Sequence, residues 1–384
     1  MNFIADEFKD IQIGALNSAG DDVNLLDDII DVSLGDHDIC TDKRIIDSIY
    51  KNEYISHTMY THPLGDERFR AEISSYCNRY NIDIDINEIM VTIGAGHGLY
   101  LALKSIINKD DEVIIIAPYY PTYIDQVKLN LGKVVVVETC IEDGYIPSIE
   151  DIKKCITSKT KAIIINSPTN PSGSVYSKEL LKEIYNLSRE NNCIILSDEV
   201  YTVFTYGKNK FTSMLEIDKK LTNTVVIKTM SKDYAMTGWR IGYIISNSKI
   251  IDVCRFVNDS ITYSAPNICQ SASIAALKLS DDIGENLKHI YWKRVEYGYE
   301  RTKTIKNLNI SKPQGGIYLF IDLSQTKFDG NEFRDLLLKE RILVLPGEIF
   351  GDKYKNYIRI TCNKDIKILR KVFDKIEELC NNYI

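Results

Sequence analysis

A chain of 384 residues is long for one compact core and comfortable for two domains. With 44% hydrophobic and 26% charged residues it has an ordinary globular composition, and a formal charge of -7 argues against a nucleic-acid partner, whose phosphates require Lys and Arg in excess on one face. Nine scattered cysteines without a CxxC pair, an acidic stretch from Met1 to Asp10, and no apolar run of membrane-helix or signal-peptide length set the expectation of a reduced, cytoplasmic protein with no membrane partner.

The first roughly forty residues hold little periodic structure apart from residues 29–34, which are expected to pack on other elements. Short apolar runs then read as buried parallel strands at residues 90–93, 113–117, 134–137, 162–165, 194–197, 225–228 and 243–245. Helix-period stretches at 98–107, 177–191 and 268–279 separate several of them. Alternation of this kind specifies an α/β fold with a mostly parallel, doubly wound sheet. After about residue 281 the texture changes. A long polar helix over 286–308 leads to a strand at 318–321, a helix near 331–340, strands at 342–345 and 357–360, and a terminal helix from Asp365. This reads as a smaller α+β domain. The expected division is a large domain over residues 45–282 and a small one built from residues 1–44 and 283–384.

In open α/β sheets ligands bind beyond the carboxyl ends of the strands, so the residues that follow each strand carry the chemistry. The first strand leads into Gly94-Ala95-Gly96-His97-Gly98, small residues that let a helix N-terminus approach an anion, or that simply make a tight turn. The second leads into Pro118-Tyr119-Tyr120-Pro121-Thr122-Tyr123, whose rings either pack the core or offer a face to an aromatic ligand. After residues 162–165 comes Asn166-Ser167-Pro168-Thr169-Asn170-Pro171-Ser172-Gly173, a stiff loop with amide donors. After 194–197 comes Asp198-Glu199-Val200-Tyr201, a carboxylate that is costly at the end of a buried strand without a cation, or else a helix cap. After 225–228 come Thr229, Ser231 and Lys232, with Arg240 a few residues on. Lysine forms imines when its charge is suppressed, and arginine clamps phosphates. Singly these features decide nothing. Together they supply what pyridoxal 5′-phosphate (PLP) needs: a Schiff-base lysine, an acidic partner for the pyridine nitrogen and a phosphate site.

At this point the sequence resembles a class I/II aminotransferase of the PLP-dependent fold type I (aspartate aminotransferase) superfamily. The segment Asn166 to Gly173 resembles the family's N-x-P-x-N-P-x-G loop, and Ser197-Asp198-Glu199-Val200-Tyr201 its S-D-E-x-Y. The Schiff-base segment is matched by Ser231-Lys232 and by Met236-Thr237-Gly238-Trp239-Arg240-Ile241-Gly242, and the carboxylate-gripping strand by Asn356-Tyr357-Ile358-Arg359-Ile360-Thr361. The resemblance implies Lys232, Asp198 and Tyr201 as catalytic. It implies that Tyr201 and Asn170 hydrogen-bond the cofactor's ring hydroxyl, that Tyr120 stacks on the ring, that Ala95, Gly96 and Arg240 hold the phosphate, and that Thr229 is among the cofactor-binding residues. Gly35, Asn170 and Arg359 would bind substrate. Tyr60 resembles the residue that reaches the phosphate of a neighbouring subunit, so a homodimer is implied. Three departures stand out: Thr229 where Gly or Ser is usual, Tyr120 where many members have Trp, and His37 in place of Pro in Gly35-Asp36-His37-Asp38. His37 is expected to be an exposed polar residue.

The activity so implied exchanges an amino group between an L-amino acid and a 2-oxo acid. On the same fold a C–S β-lyase or an amino-acid-modifying lyase or cyclase would share the cofactor residues. A PLP-sensing regulator would need a basic DNA-binding domain, which residues 1–55 do not offer, and an NAD-linked oxidoreductase rests only on the glycine turn. The segment 258–266 contains no Arg for a distal carboxylate, and Tyr263, His97 and Tyr120 are candidates for a pocket around the substrate side chain.

Overall fold

The structure, a computed structural model, describes residue 3, residues 28–50 and residues 58–382. The readings of the N-terminal residues before 28, and of residues 51–57, fall outside them.

The strands in chain order are β1 (Ile30–Asp31), β2 (Ile89–Thr92), β3 (Glu112–Ile116), β4 (Lys133–Val137), β5 (Thr160–Asn166), β6 (Ile194–Asp198), β7 (Thr224–Thr229), β8 (Gly242–Ile245), β9 (Asn309–Ile310), β10 (Tyr318–Asp322), β11 (Ile342–Leu343), β12 (Leu345–Pro346) and β13 (Tyr357–Thr361). Seven of them form one sheet in the order β2-β8-β7-β6-β5-β3-β4, in which only β8 runs against its neighbours. All seven strands expected from the apolar runs are present, but β8, expected to be parallel like the rest, runs antiparallel to both β2 and β7. Their sequences show why: β5 and β7 read Thr-Lys-Ala-Ile-Ile-Ile-Asn and Thr-Val-Val-Ile-Lys-Thr, β-branched and buried almost throughout, as a sheet covered on both faces requires. The helix Lys178–Glu190 covers one face with Leu181, Ile184 and Leu187, and is opened by Ser177, whose hydroxyl accepts from Leu180 N.

Register brings the site together. Asn166 pairs with Asp198, and Asp198 with Ile227, so β5, β6 and β7 end at one level. The loops bearing Asn170, Tyr201 and Lys232 therefore leave the sheet side by side.

A second, four-stranded sheet, β12-β13-β10-β9, packs with the helices Ser280–Thr304, Gly330–Lys339 and Ile366–Asn382. The segment from Ile30 runs along it: β1 pairs in parallel with β11, and Thr361 N donates to Val32 O at 2.8 Å. That path carries the chain toward the large sheet and delivers Gly35 to the end of β7's loop.

Three expectations are corrected. The long helix starts at Ser280 and stops at Thr304, so residues 305–308 are not helical. Residues 342–345 are not one strand, because Ile342–Leu343 pairs with β1 while Leu345–Pro346 pairs with β13, around Val344. The glycine-rich segment is not a loop before a helix: the helix Gly94–Ile106 begins at its first glycine.

Ile227, 1% exposed, lies beside Asp198 in the sheet. Ile227→Ala is expected to cost about 3 kcal/mol of unfolding free energy, read as a lower urea midpoint with an unchanged slope.

Candidate active site

A cavity of about 450 Å³ opens where β5, β6 and β7 end, lined by residues from both sheets. Of the residues singled out from the sequence, Gly35, Ala95, Gly96, Tyr120, Asn170, Asp198, Tyr201, Thr229, Lys232, Arg240 and Arg359 all line it. Tyr60 does not: it is 85% exposed, with its ring 5.2 Å from that of Tyr263. Tyr263 and His97 also stay out of the lining, and His97 Nδ1 instead accepts the N–H of Ile93.

Asp198 is the most constrained group. It is buried at the end of β6; Oδ2 accepts the Tyr123 hydroxyl at 2.5 Å, while Oδ1 is buried with no partner among the described residues. Burial pushes its carboxyl up to about 7, against the Tyr123 bond that pulls it down. Asn166 braces the strand end from the side, its Nδ2 donating to Asp198 O and its Oδ1 accepting Asn170 N.

Lys232 stands across the cavity, its ammonium donating to the carbonyl of Gly35. Burial draws its amine down to about 8, with the Arg359 and Arg240 charges acting in the same sense and Asp36 opposing. The carboxylate of the next residue, Asp233, accepts Thr202 Oγ1 and fixes the lysine's loop. Gly35 must lack a side chain, since a Cβ there would strike the Tyr318 hydroxyl.

At one end of the cavity the helix Gly94–Ile106 presents its first turn, and no side chain caps it. Its orphan amides and the helix dipole attract an anion. The Arg240 guanidinium lies against Gly94, which has φ +72° and whose missing Cβ would sit 2.7 Å from Nη2. Arg240 Nη1 donates to Thr237 O, and Thr229 Oγ1 lies 2.9 Å from Ser231 Oγ beneath.

At the other end Arg359, 1% exposed on β13, points from the small sheet. Nη1 donates to Asn170 Oδ1 at 3.0 Å and Nη2 to Ser33 O, while Nε is buried without a partner among the described residues. Its guanidinium lies over the rings of Tyr318 and Phe350, at 4.4 and 5.0 Å.

The lining also includes Tyr123, Asn166, Ser231 and Tyr318, which the sequence reading did not select as site residues. Three of these stood inside quoted motifs, so the signal was position beside a chosen residue; Tyr318 had none. His37 is not exposed. It is half-buried, its Nδ1 lies 2.8 Å from the Tyr291 hydroxyl, and its ring packs on Tyr291 and Phe204. Burial lowers its imidazole to about 4, so it is neutral near pH 7.

A sequence model of the family described as aminotransferase class I and II matches residues 28–376. The chain belongs to that family. It is 35% identical over 358 residues to an aspartate aminotransferase of Bacillus sp. (strain YM-2), covering 91% of each chain. It is 36% identical over 360 residues to the (5-formylfuran-3-yl)methyl phosphate transaminase of Methanocaldococcus jannaschii, covering 92% of each. The solved structure of Thermus thermophilus aspartate aminotransferase with maleate is similar at a TM-score of 0.93 and 27% identity, over 98% of this chain and 100% of that one. This aminotransferase is thus an enzyme of the α/β fold expected, in a PLP-dependent family. The lyase or cyclase reading is not favoured, and the regulator and NAD readings fall away.

The buried carboxyl of Asp198 has a stability consequence. Its folded pKa near 7 lies above the 3.8 of an exposed group. The ionised form therefore destabilises the fold, not at all below about pH 4, increasingly as pH rises, and fully above about pH 7. Asn in its place can still accept from Tyr123. Cofactor-free Asp198→Asn is expected to be more stable than cofactor-free wild type at pH 8, by on the order of 2 kcal/mol, and the gap should close as pH falls toward 4. Denaturant unfolding at both pH values checks this.

Proposed function

We propose that this aminotransferase binds PLP through Lys232 and uses it to move an amino group between an L-amino acid and a 2-oxo acid. The observation that carries the reading is Asp198 Oδ1, a buried carboxylate oxygen without a partner among the described residues, in one cavity with a buried lysine amine and a helix N-terminus that none of the described side chains caps. The donor set fits the cofactor at three points: an acid for the pyridine nitrogen, an amine for the aldehyde, and amides with Arg240 for the phosphate. When bound, PLP supplies an aldehyde that condenses with amines and a ring that accepts electrons from the carbon being deprotonated.

The protein's own part follows from its groups. Asp198 holds a proton at the pyridine nitrogen. The Lys232 amine, already low in pKa, is neutral for a useful fraction of molecules near pH 7; it holds the cofactor, then takes the proton from the substrate Cα. Tyr201 and the Asn170 amide donate to the ring hydroxyl oxygen, and Tyr120 covers the ring face. The amides of Ala95 and Gly96, the Thr229–Ser231 hydroxyls and Arg240 bind the phosphate. Arg359 takes the α-carboxylate as a two-pronged donor, with Asn170 and Gly35 beside it.

A homodimer completes the reading, with Tyr60 reaching the neighbouring subunit's site. Supporting it, Met59, Tyr60, Val253, Phe256, Ile261, Tyr263 and Ile268 are all exposed, and Asn267 Nδ2 donates to Met59 O, which joins the two segments. Apolar surface gathered in this way marks an interface. A cytoplasmic location is supported by nine unpaired cysteines, and among the described residues no helix is long and apolar enough to cross a membrane. We assign residues 45–282 to the large domain and 1–44 with 283–384 to the small one; the boundary falls in the first turn of the helix Ser280–Thr304.

Wild type incubated with PLP is expected to show a lysine-bound cofactor absorbance that Lys232→Ala lacks. An amino-acid donor should convert it to the amine form, and a 2-oxo acid should reverse the change. Release of ammonia, sulfide or pyruvate without that conversion would make the enzyme a lyase, and a wild type that takes up no PLP would end the assignment. Arg359→Leu is expected to keep the absorbance while KM for the amino acid rises about 100-fold, the loss of a charged hydrogen-bonded pair.

A further inference from the structure

Tyr318, the first residue of β10, lies between three groups assigned above, and it comes from the other sheet. Its hydroxyl is 2.7 Å from that of Tyr201, both buried, with the rings edge to face at 85°. Its ring face carries the Arg359 guanidinium at 4.4 Å. Its hydroxyl occupies the space a Gly35 side chain would need. The backbone fixes this placement: Tyr318 pairs with Thr361 and Phe320 with Arg359 across β10 and β13, so one ladder sets both the phenol and the guanidinium.

Proton counting gives the bond a direction. Each phenol has one proton and an oxygen that can also accept. Either may donate to the other while both are otherwise unengaged. Once the Tyr201 proton goes to the cofactor's ring oxygen, the Tyr318–Tyr201 bond survives only with Tyr318 as donor. A hydroxyl that accepts one hydrogen bond donates a stronger one, and more so in a buried site. The nearby Arg359 charge favours the same polarisation of the Tyr318 hydroxyl.

We propose that Tyr318 is a positioning residue that acts through Tyr201: it donates to the Tyr201 oxygen, strengthens the Tyr201 bond to the cofactor's ring oxygen, and so favours the unprotonated form of the lysine-bound cofactor, while its ring holds Arg359 for the substrate carboxylate. The inference rests on the reading that PLP binds at Lys232 with Tyr201 at its ring oxygen. The two functions of Tyr318 separate, because one needs the hydroxyl and the other the ring.

The test is a pH titration of the cofactor absorbance in wild type and two variants loaded with PLP. Tyr318→Phe keeps the ring and its packing. Its absorbance midpoint should rise by about half to one pH unit, the worth of one net hydrogen bond. Its kcat near neutral pH should fall several-fold, with KM for the amino acid within about twofold of wild type. Tyr318→Leu should show the same rise in midpoint and, in addition, a KM raised about tenfold as Arg359 loses the nearer of its two aromatic faces. A midpoint in Tyr318→Phe equal to or below that of wild type, with both proteins carrying PLP, overturns the inference and leaves the cofactor reading intact. A wild type without a Lys232-dependent band brings down both.

Discussion

A carboxylate and an amine are buried in one cavity, and neither neutralises the other. Asp198 gives one oxygen to Tyr123 and keeps the other unpartnered; Lys232 spends its ammonium on a backbone carbonyl. Water would solvate both better, so the fold holds them against a desolvation cost that shows in their opposite pKa shifts, the acid up and the base down. Much of the surrounding architecture serves this arrangement. The common level of β5, β6 and β7 prevents either loop from retreating, Asn166 clamps the end of β6, and Asp233 and Thr202 hold the lysine's loop.

The opposite wall solves a related problem. Arg359 is a cation with almost no exposure, and its carbonyl and amide partners carry no charge. Two aromatic faces supply part of the missing stabilisation, and among the described residues Nε has no hydrogen-bond partner. Because Arg359 lies on the small sheet and Asn170 on the loop after β5, their 3.0 Å bond joins the two sheets at the cavity itself. The guanidinium proposed to take the substrate carboxylate is thus also a contact between the sheets.

Much of this was legible in the sequence because the signals were local. The seven main strands are apolar runs, and the motifs that follow β2, β3, β5, β6 and β7 each begin within a few residues of a strand end. What escaped depended on distance. Tyr318 carries no motif, and its role comes from Tyr201, 117 residues earlier. His37, flanked by the exposed Asp36 and Asp38, read as surface; Tyr291, 254 residues later, encloses it. Residues 342–345 gave one apolar run, and nothing local could say that its halves serve different sheets.

The segment from Gly35 to Thr41 is fastened on two sides. Asp36 accepts the Thr237 hydroxyl, and Thr41 donates to Ala235 O and accepts from Trp239 Nε1, all beside the lysine's loop; His37 meets Tyr291, and Asp38 takes Arg294 in a two-pronged pair at 2.7 and 2.9 Å, both on the helix Ser280–Thr304. A short strip of chain is thus laced between the lysine's loop and the helix Ser280–Thr304, with Gly35, whose carbonyl accepts the Lys232 ammonium, at its end. The contour of the cavity mouth is consequently written partly in residues that never touch it. Tyr291 and Arg294, outside the cavity lining, thus help to hold Gly35 against Lys232 and Tyr318.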